Sequence, residues 1–317
     1  MRKYICLILS LPMMWMSCTC EDVKPAAENE ETVTVNFTAQ LPQQKPLVRA
    51  AVNTTDLVDE VVMAVFNESG VEYPLLRDTI ELDAAGSGTI MFPLQLIKGR
   101  TYNVAFWACK SNYYDFGDMR TITRKAVTGA TENDYDAFTA HETVTVGEET
   151  AVVTKTIVLK RPFAKVNVGV NSTDWNAVVN NFGLTPTKTM LVLTDCYNQF
   201  DAMTGDVKGA SSDRTLTVPS GGDLVCSNGK TYKQLASALI LVGGVNEKNL
   251  TDVTYSIYDE NNVSIRSHSI SNIPVQTNYN TNIVGDLMTG TIQYSLQFEE
   301  AYHPDDKYVE VPEVTNP

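Results

Sequence analysis

Two arrangements in this 317-residue sequence could enter covalent chemistry, and both read as substrates of other enzymes. Arg49 stands before Ala50 in "LPQQKPLVRAAVN", with no acidic residue within six positions. The roughly fifteen residues around it hold Pro42, Pro46, two glutamines and two cations, which makes an exposed, extended loop of the form a protease requires. Arg49–Ala50 is therefore a trypsin-like cleavage point, or else an arginine in a loop that is never cut. The second arrangement is Cys18, a thiol behind Ser17 at the end of an apolar run and open to acylation. Groups that would themselves catalyse are not assembled. His141, His268 and His303 sit in unrelated contexts without H-E-x-x-H or Cys-His spacing, and no G-x-S-x-G, Walker loop or dinucleotide fingerprint occurs. The paired glycines of "SGGDL" and "LVGGVN" read as hairpin turns. Asp134 and Asp136 in "ENDYDAF" could offer oxygens to calcium, yet they lack the ligand series of an EF-hand, and a solvated acidic loop explains them better. No enzyme activity, metal or cofactor is expected. Tyr113, Tyr114 and Phe116, in "SNYYDFGDM", are candidates for stacking on a glycan, or for packing a turn.

The N-terminus must deliver such a chain. "MRKYICLILSLPMMWMSCTC" has two cations, an apolar run from Tyr4 to Met16 and a small residue before Cys18. This is a secretory signal, too short and too broken by Pro12 to be a membrane span. Ser17-Cys18 resembles a bacterial lipobox with Cys18 as the lipidated residue; Trp15 departs from the usual Leu, and an ordinary cleaved signal is the alternative. Removing Arg2 and Lys3 takes the formal charge from −14 to −16. A surface that acidic repels nucleic acid and anionic lipid. Cys109, Cys196 and Cys226 are far apart, so at most one disulfide is available, and buried free thiols are the simpler expectation.

From residue 31 onward, runs of period two rich in Val, Thr, Ile and Tyr alternate with Gly, Asn, Asp and Pro clusters, the pattern of an all-β chain. The first run puts Val33, Val35, Phe37 and Ala39 on one face and Thr34, Asn36, Thr38 and Gln40 on the other. Further strands are expected at 57–66, 88–95, 101–109 and 151–159, with an acidic, aromatic loop at 131–146. In the second half they are expected at 159–170, 188–194, 215–218, 235–242, 253–258, 263–270, 279–288 and 291–298. One helix fits "STDWNAVVNNFGL", with Ser172 or Thr173 as N-cap, an apolar face including Phe182, and Gly183 as terminator. The expected fold is all-β: two tandem transthyretin-like/Greek-key β-sandwich domains with at most one or two short helices. The parts are a lipoprotein signal over 1–17, a propeptide-like segment with the first strand over 18–49, an N-terminal sandwich over 50–159 completed by 32–40, a C-terminal sandwich over 160–300, and a tail over 301–317.

Several stretches together resemble the fimbrillin-like lipoproteins of Bacteroidales, the pilins and pilin-like proteins of type V fimbriae. These are "LKRPFAKV" at the junction, "YNQFDAMTGDV" at 197–207 and "IPVQTNYNTNIVGDLMTG" at 273–290, joined by the lipobox and the acidic Glu21-Asp22 after it, which looks like that group's surface-export signal. Tyr279, Ile283 and Leu287 share one parity, while Asn280, Thr281 and Asn282 are suited to bond turn backbone, so this last stretch reads as structural.

The resemblance implies an outer-membrane lipoprotein at the cell surface, in a fimbrium that supports adhesion. Its partners would be other fimbrial subunits, a trypsin-like maturation protease that cuts after Arg49, and the membrane through lipid on Cys18. Cleavage would release the strand carrying Val33, Val35, Phe37 and Ala39, and a C-terminal strand of the next subunit would refill the groove. The candidate donor is "TIQYSLQF", with Ile292, Tyr294, Leu296 and Phe298 on one face, unless it is the last strand of its own sandwich. In that case "KYVEV" at 307–311 is the remaining donor. A surface-anchored monomer that keeps its first strand and binds glycan or host protein is the alternative function.

Overall fold

The structure, a computed structural model, describes residues 31–42, 57–82, 89–149, 151–244, 246–300 and 309–310. Cys18, Arg49 and Ala50 lie outside the described residues, as does the tail apart from 309–310. In the first half the strands are β1 (Thr32–Gln40), β2 (Glu60–Phe66), β3 (Asp78–Glu81), β4 (Thr89–Ile97) and β5 (Arg100–Cys109). The short β6 (Tyr114–Asp115) and β7 (Ile122–Arg124) follow, then β8 (Ala137–Val146) and β9 (Val153–Val158). The second half opens with β10 (Ala164–Val170), the helix α1 (Ser172–Phe182), β11 (Pro186–Cys196), β12 (Gln199–Asp201) and β13 (Asp206–Lys208). It continues through β14 (Ser212–Pro219), β15 (Asp223–Val225), β16 (Thr231–Ile240), β17 (Lys248–Asp259) and β18 (Ser264–Val275). Last come β19 (Tyr279–Asp286), β20 (Gln293–Glu300) and β21 (Val309–Glu310).

Both halves are wound the same way. The first pairs a sheet of order β4-β1-β9 with one of order β3-β2-β5-β8; the second pairs β16-β10-β19 with β14-β11-β17-β18. In each, the opening strand runs between an antiparallel and a parallel neighbour, β4 and β9 for β1, β16 and β19 for β10. The fold is all-β with sandwich packing and, among the described residues, one α-helix, as the alternating runs require. Each half has its own core, around Val35, Phe37, Phe92 and Phe106 in the first and around Val166, Val168, Leu191 and Tyr255 in the second. Beyond the shared topology the second half adds β15 at one edge and β20 and β21 at the other.

A third apolar cluster and a four-stranded sheet, β13-β12-β7-β6, join the halves. Phe200 of β12 stands opposite Ile122 of β7, and Trp107, Tyr114, Phe163 and Leu239 fill the space beneath. The stretch at 197–207 is the expected hairpin, and it docks on the first half.

Three expectations change. Residues 137–146 form strand β8, paired along its length with β5, because β5 supplies ten partners to a segment whose own alternation is visible only at Val144 and Val146. The acidic residues before it form a short 3-10 turn with a capping box between Thr131 and Asp134. The N-cap of α1 is Asn171 rather than Ser172 or Thr173, and its side chain donates to Asp286 at 2.7 Å instead of capping the helix. Gly183 ends the helix in the left-handed region at φ 64°, as expected, but Phe182 is exposed rather than packed on the helix's apolar face. Among the described residues the cysteines are free and buried, which pushes the Cys196 and Cys226 thiols up to about 12.

Candidate functional site

The position of β1 follows from its alternation. Val35, Phe37 and Ala39 are fully buried and Val33 nearly so, while the Thr and Asn side chains between them face outward. Phe37 lies opposite Phe92 and packs on Phe106 with ring centroids 5.6 Å apart. All nine residues pair with β4 and six of them with β9, so β1 is the middle strand of its sheet. Taking it out would expose the backbone of both neighbours and return roughly 5–9 kcal/mol of apolar burial from two valines and a phenylalanine to water. Such a groove cannot stay empty in water.

"TIQYSLQF" falls within the second half's own sheet, where β20 pairs with β19 over eight positions. Ile292, Tyr294 and Leu296 rest half-buried on the second core, and Phe298 stacks on Tyr279 with centroids 4.8 Å apart. On its other side β20 pairs, among the described residues, with Val309 and Glu310 of β21. β21, Val309–Glu310, is the described part of the other donor candidate.

The aromatic trio is not a surface platform. Tyr114 is 2% exposed, with its ring against Trp107, Tyr135 and Phe163, and its hydroxyl donates to the Tyr135 carbonyl. Tyr113 is half-buried edge-on to Tyr135, and Phe116 also packs on the cluster that joins the halves. The two aspartates of the acidic turn are likewise committed. Lys110 at 2.9 Å and the Thr131 cap hold the Asp134 carboxyl down at about 2, and Asp136 is buried against Arg161, whose Nε donates at 2.7 Å.

Between the halves lies a cleft of about 420 Å³, lined among others by Arg124, Arg214, Cys196 and Tyr197. Sequence reasoning missed it, since its residues come from four separated strands and loops. Arg214 donates to Glu132 at 2.6 Å, while Arg124 donates to the Leu239 carbonyl at 2.8 Å and lies over the rings of Phe163 and Tyr135. Burial pushes the Glu132 carboxyl up, but Arg214 and Arg124 together hold it below the usual range. Both guanidiniums are spent on Glu132 and Leu239, so the cleft works as a clasp across the junction.

A family model described as a family of unknown function, DUF6562, matches residues 26–314. No curated protein matches the sequence. Among solved structures, a candidate adhesin from Bacteroides thetaiotaomicron is 9% identical with a TM-score of 0.51, over 88% of this chain and 98% of that one. The fimbrial anchor protein Mfa2 from Porphyromonas gingivalis is 14% identical with a TM-score of 0.44, over 88% and 95%. A fimbrial assembly protein from Parabacteroides distasonis is 12% identical with a TM-score of 0.43, over 88% and 100%. For the first of these the likeness is one of fold.

Proposed function

The chain belongs to the DUF6562 family of unknown function, and we propose that it is a structural protein of the cell surface, a pilus subunit or accessory component that assembles by protease-triggered donor-strand exchange. In this reading the signal delivers a precursor lipidated at Cys18 to the outer membrane, and residue 160 marks the boundary between two sandwich domains. Cleavage after Arg49 detaches β1, and a strand from the next subunit takes its place through main-chain hydrogen bonds and alternate side-chain pockets together. The observation that carries the reading is the placement of β1: a middle strand with a buried apolar face, followed along the chain, before β2, by the segment that contains Arg49–Ala50. Support also comes from the fold shared with a candidate adhesin.

Mass spectrometry of protein taken from the native cell surface tests it. A mature N-terminus at Ala50 on heat-sensitive, ladder-like multimers is the expected result. A lipidated Cys18 on a persistent monomer overturns assembly and favours a surface-anchored binding protein.

A further inference from the structure

The sheet β4-β1-β9 of the first half presents an outer face without charge. The Thr, Asn and Gln side chains between the buried positions of β1 point outward, and register sets Met91, Pro93 and Gln95 of β4 on one side of them and Thr154, Thr156 and Val158 of β9 on the other. These six flanking residues are exposed, and no position of the face is ionisable, although the chain is 20% charged and carries −14. Of the eight large hydrophobic side chains exposed among the described residues, Met91 at 60% and Val158 at 53% stand on this face, and Val152 at 68% stands at its rim. Exposed apolar side chains gathered on one face mark a contact surface, whereas single scattered ones do not. The second half covers its equivalent face. On β16-β10-β19 the outward Ser237, Asn167 and Asn282 are buried and bonded to one another, and Leu224 of β15 packs with Tyr232 and Val284 against Gly169 on the same side. The sheet β4-β1-β9 has no strand corresponding to β15.

We propose that this face pairs with the same face of a second copy of the chain. Its chemistry selects that occupant. Without cations or carboxylates it gives a charged partner nothing to pair with, and without aromatic rings it gives a sugar no stacking platform. Two copies that each carry −14 repel one another, and least where both are uncharged. Met91 and Val158 lie on opposite sides of β1, so a two-fold axis along β1 lays β4 of one copy over β9 of the other and brings apolar side chains together at both sides of the contact. Pairing at the edge is disfavoured instead, because Pro93 removes a main-chain donor from β4. From strand spacing the face measures roughly 400 Å², about half the area per partner of a standard stable complex. The pair is therefore weak in solution and gains from repetition where chains stand side by side on a surface. It needs β1 in place and does not depend on strand exchange, so it is read on the uncleaved chain and its failure leaves the assembly reading untouched.

Analytical ultracentrifugation of the chain less its signal, Glu21–Pro317, uncleaved at Arg49, tests it over a series of concentrations. The expected sedimentation coefficient rises with concentration from the monomer value toward that of a dimer, and rises further from low to physiological salt as the acidic bodies are screened. Met91→Lys on β4 and Thr156→Lys on β9 should each weaken pairing by about tenfold or more, because the facing copy would desolvate the new ammonium. An added cation lowers the net charge, so a general charge effect would strengthen association instead. Leu75→Lys, 94% exposed in the turn Pro74–Leu76 away from the face, should not weaken it. A chain that stays monomeric at every concentration and salt overturns the proposal, as does pairing that survives both face variants or that Leu75→Lys weakens equally.

Discussion

Glu60 opens β2 with one carboxylate oxygen buried and unpaired, and burial first, then the charges of Asp59 and Glu81, raises its pKa above the usual carboxylate range. The folded state therefore holds this proton more tightly than the unfolded chain, and stability falls as pH rises from the unfolded value through the folded one. Glu60→Gln should raise the melting temperature at neutral pH and leave it nearly unchanged at pH well below the ordinary glutamate range, as calorimetry at the two pH values would show. Asp136 is instead paired, buried, with the Arg161 guanidinium. Asp136→Ala removes the carboxylate that accepts from the buried Arg161 Nε at 2.7 Å and should cost roughly 3–5 kcal/mol in denaturant unfolding, while replacing both partners by apolar residues should cost less. Neither environment was legible in the sequence. "ENDYDAF" reads as a solvated acidic loop because its partners, Lys110 and Arg161, lie on either side of it along the chain and are brought to it only by the fold.

Among the elements, β1 was readable to the residue because its alternation is complete over nine positions and one face is wholly apolar. The strand β8 was hidden, since most of its apolar partners are supplied by β5, and β6, β7, β12 and β13 are too short to carry a period. Gly285 shows how β20 is held. A Cβ at that position would stand 2.1 Å from the Gln293 carbonyl oxygen and 2.7 Å from Tyr294 Cα, so β19 and β20 approach closely only because the residue is glycine. Gly285→Ala should push β20 off its neighbour at a cost of about 1–3 kcal/mol. Hydrogen exchange would then quicken in Gln293–Gln297, while β11 and β17 keep their protection. If β20 is the donor, the same variant should polymerise faster after cleavage than the wild type.

At the scale of the whole molecule, the tandem sandwiches were legible from strand spacing, but the clasp between them was not. It depends on side chains brought together from segments 82 residues apart, Glu132 and Arg214, and 115 apart, Arg124 and Leu239, which periodicity does not encode. The parallel pairing of β1 with β9 has a mechanical consequence as well. Tension entering at the start of β1 and leaving at the end of β9 drags two parallel neighbours in opposite directions along their own axes. Val35–Gln40 must then slide past Val153–Val158 all at once, instead of opening one hydrogen bond at a time. Were the chain to assemble as proposed, a fibre of such sandwiches would resist pulling in shear rather than by peeling, and a strand lent by the next subunit would inherit that strength only by entering the groove parallel to β9.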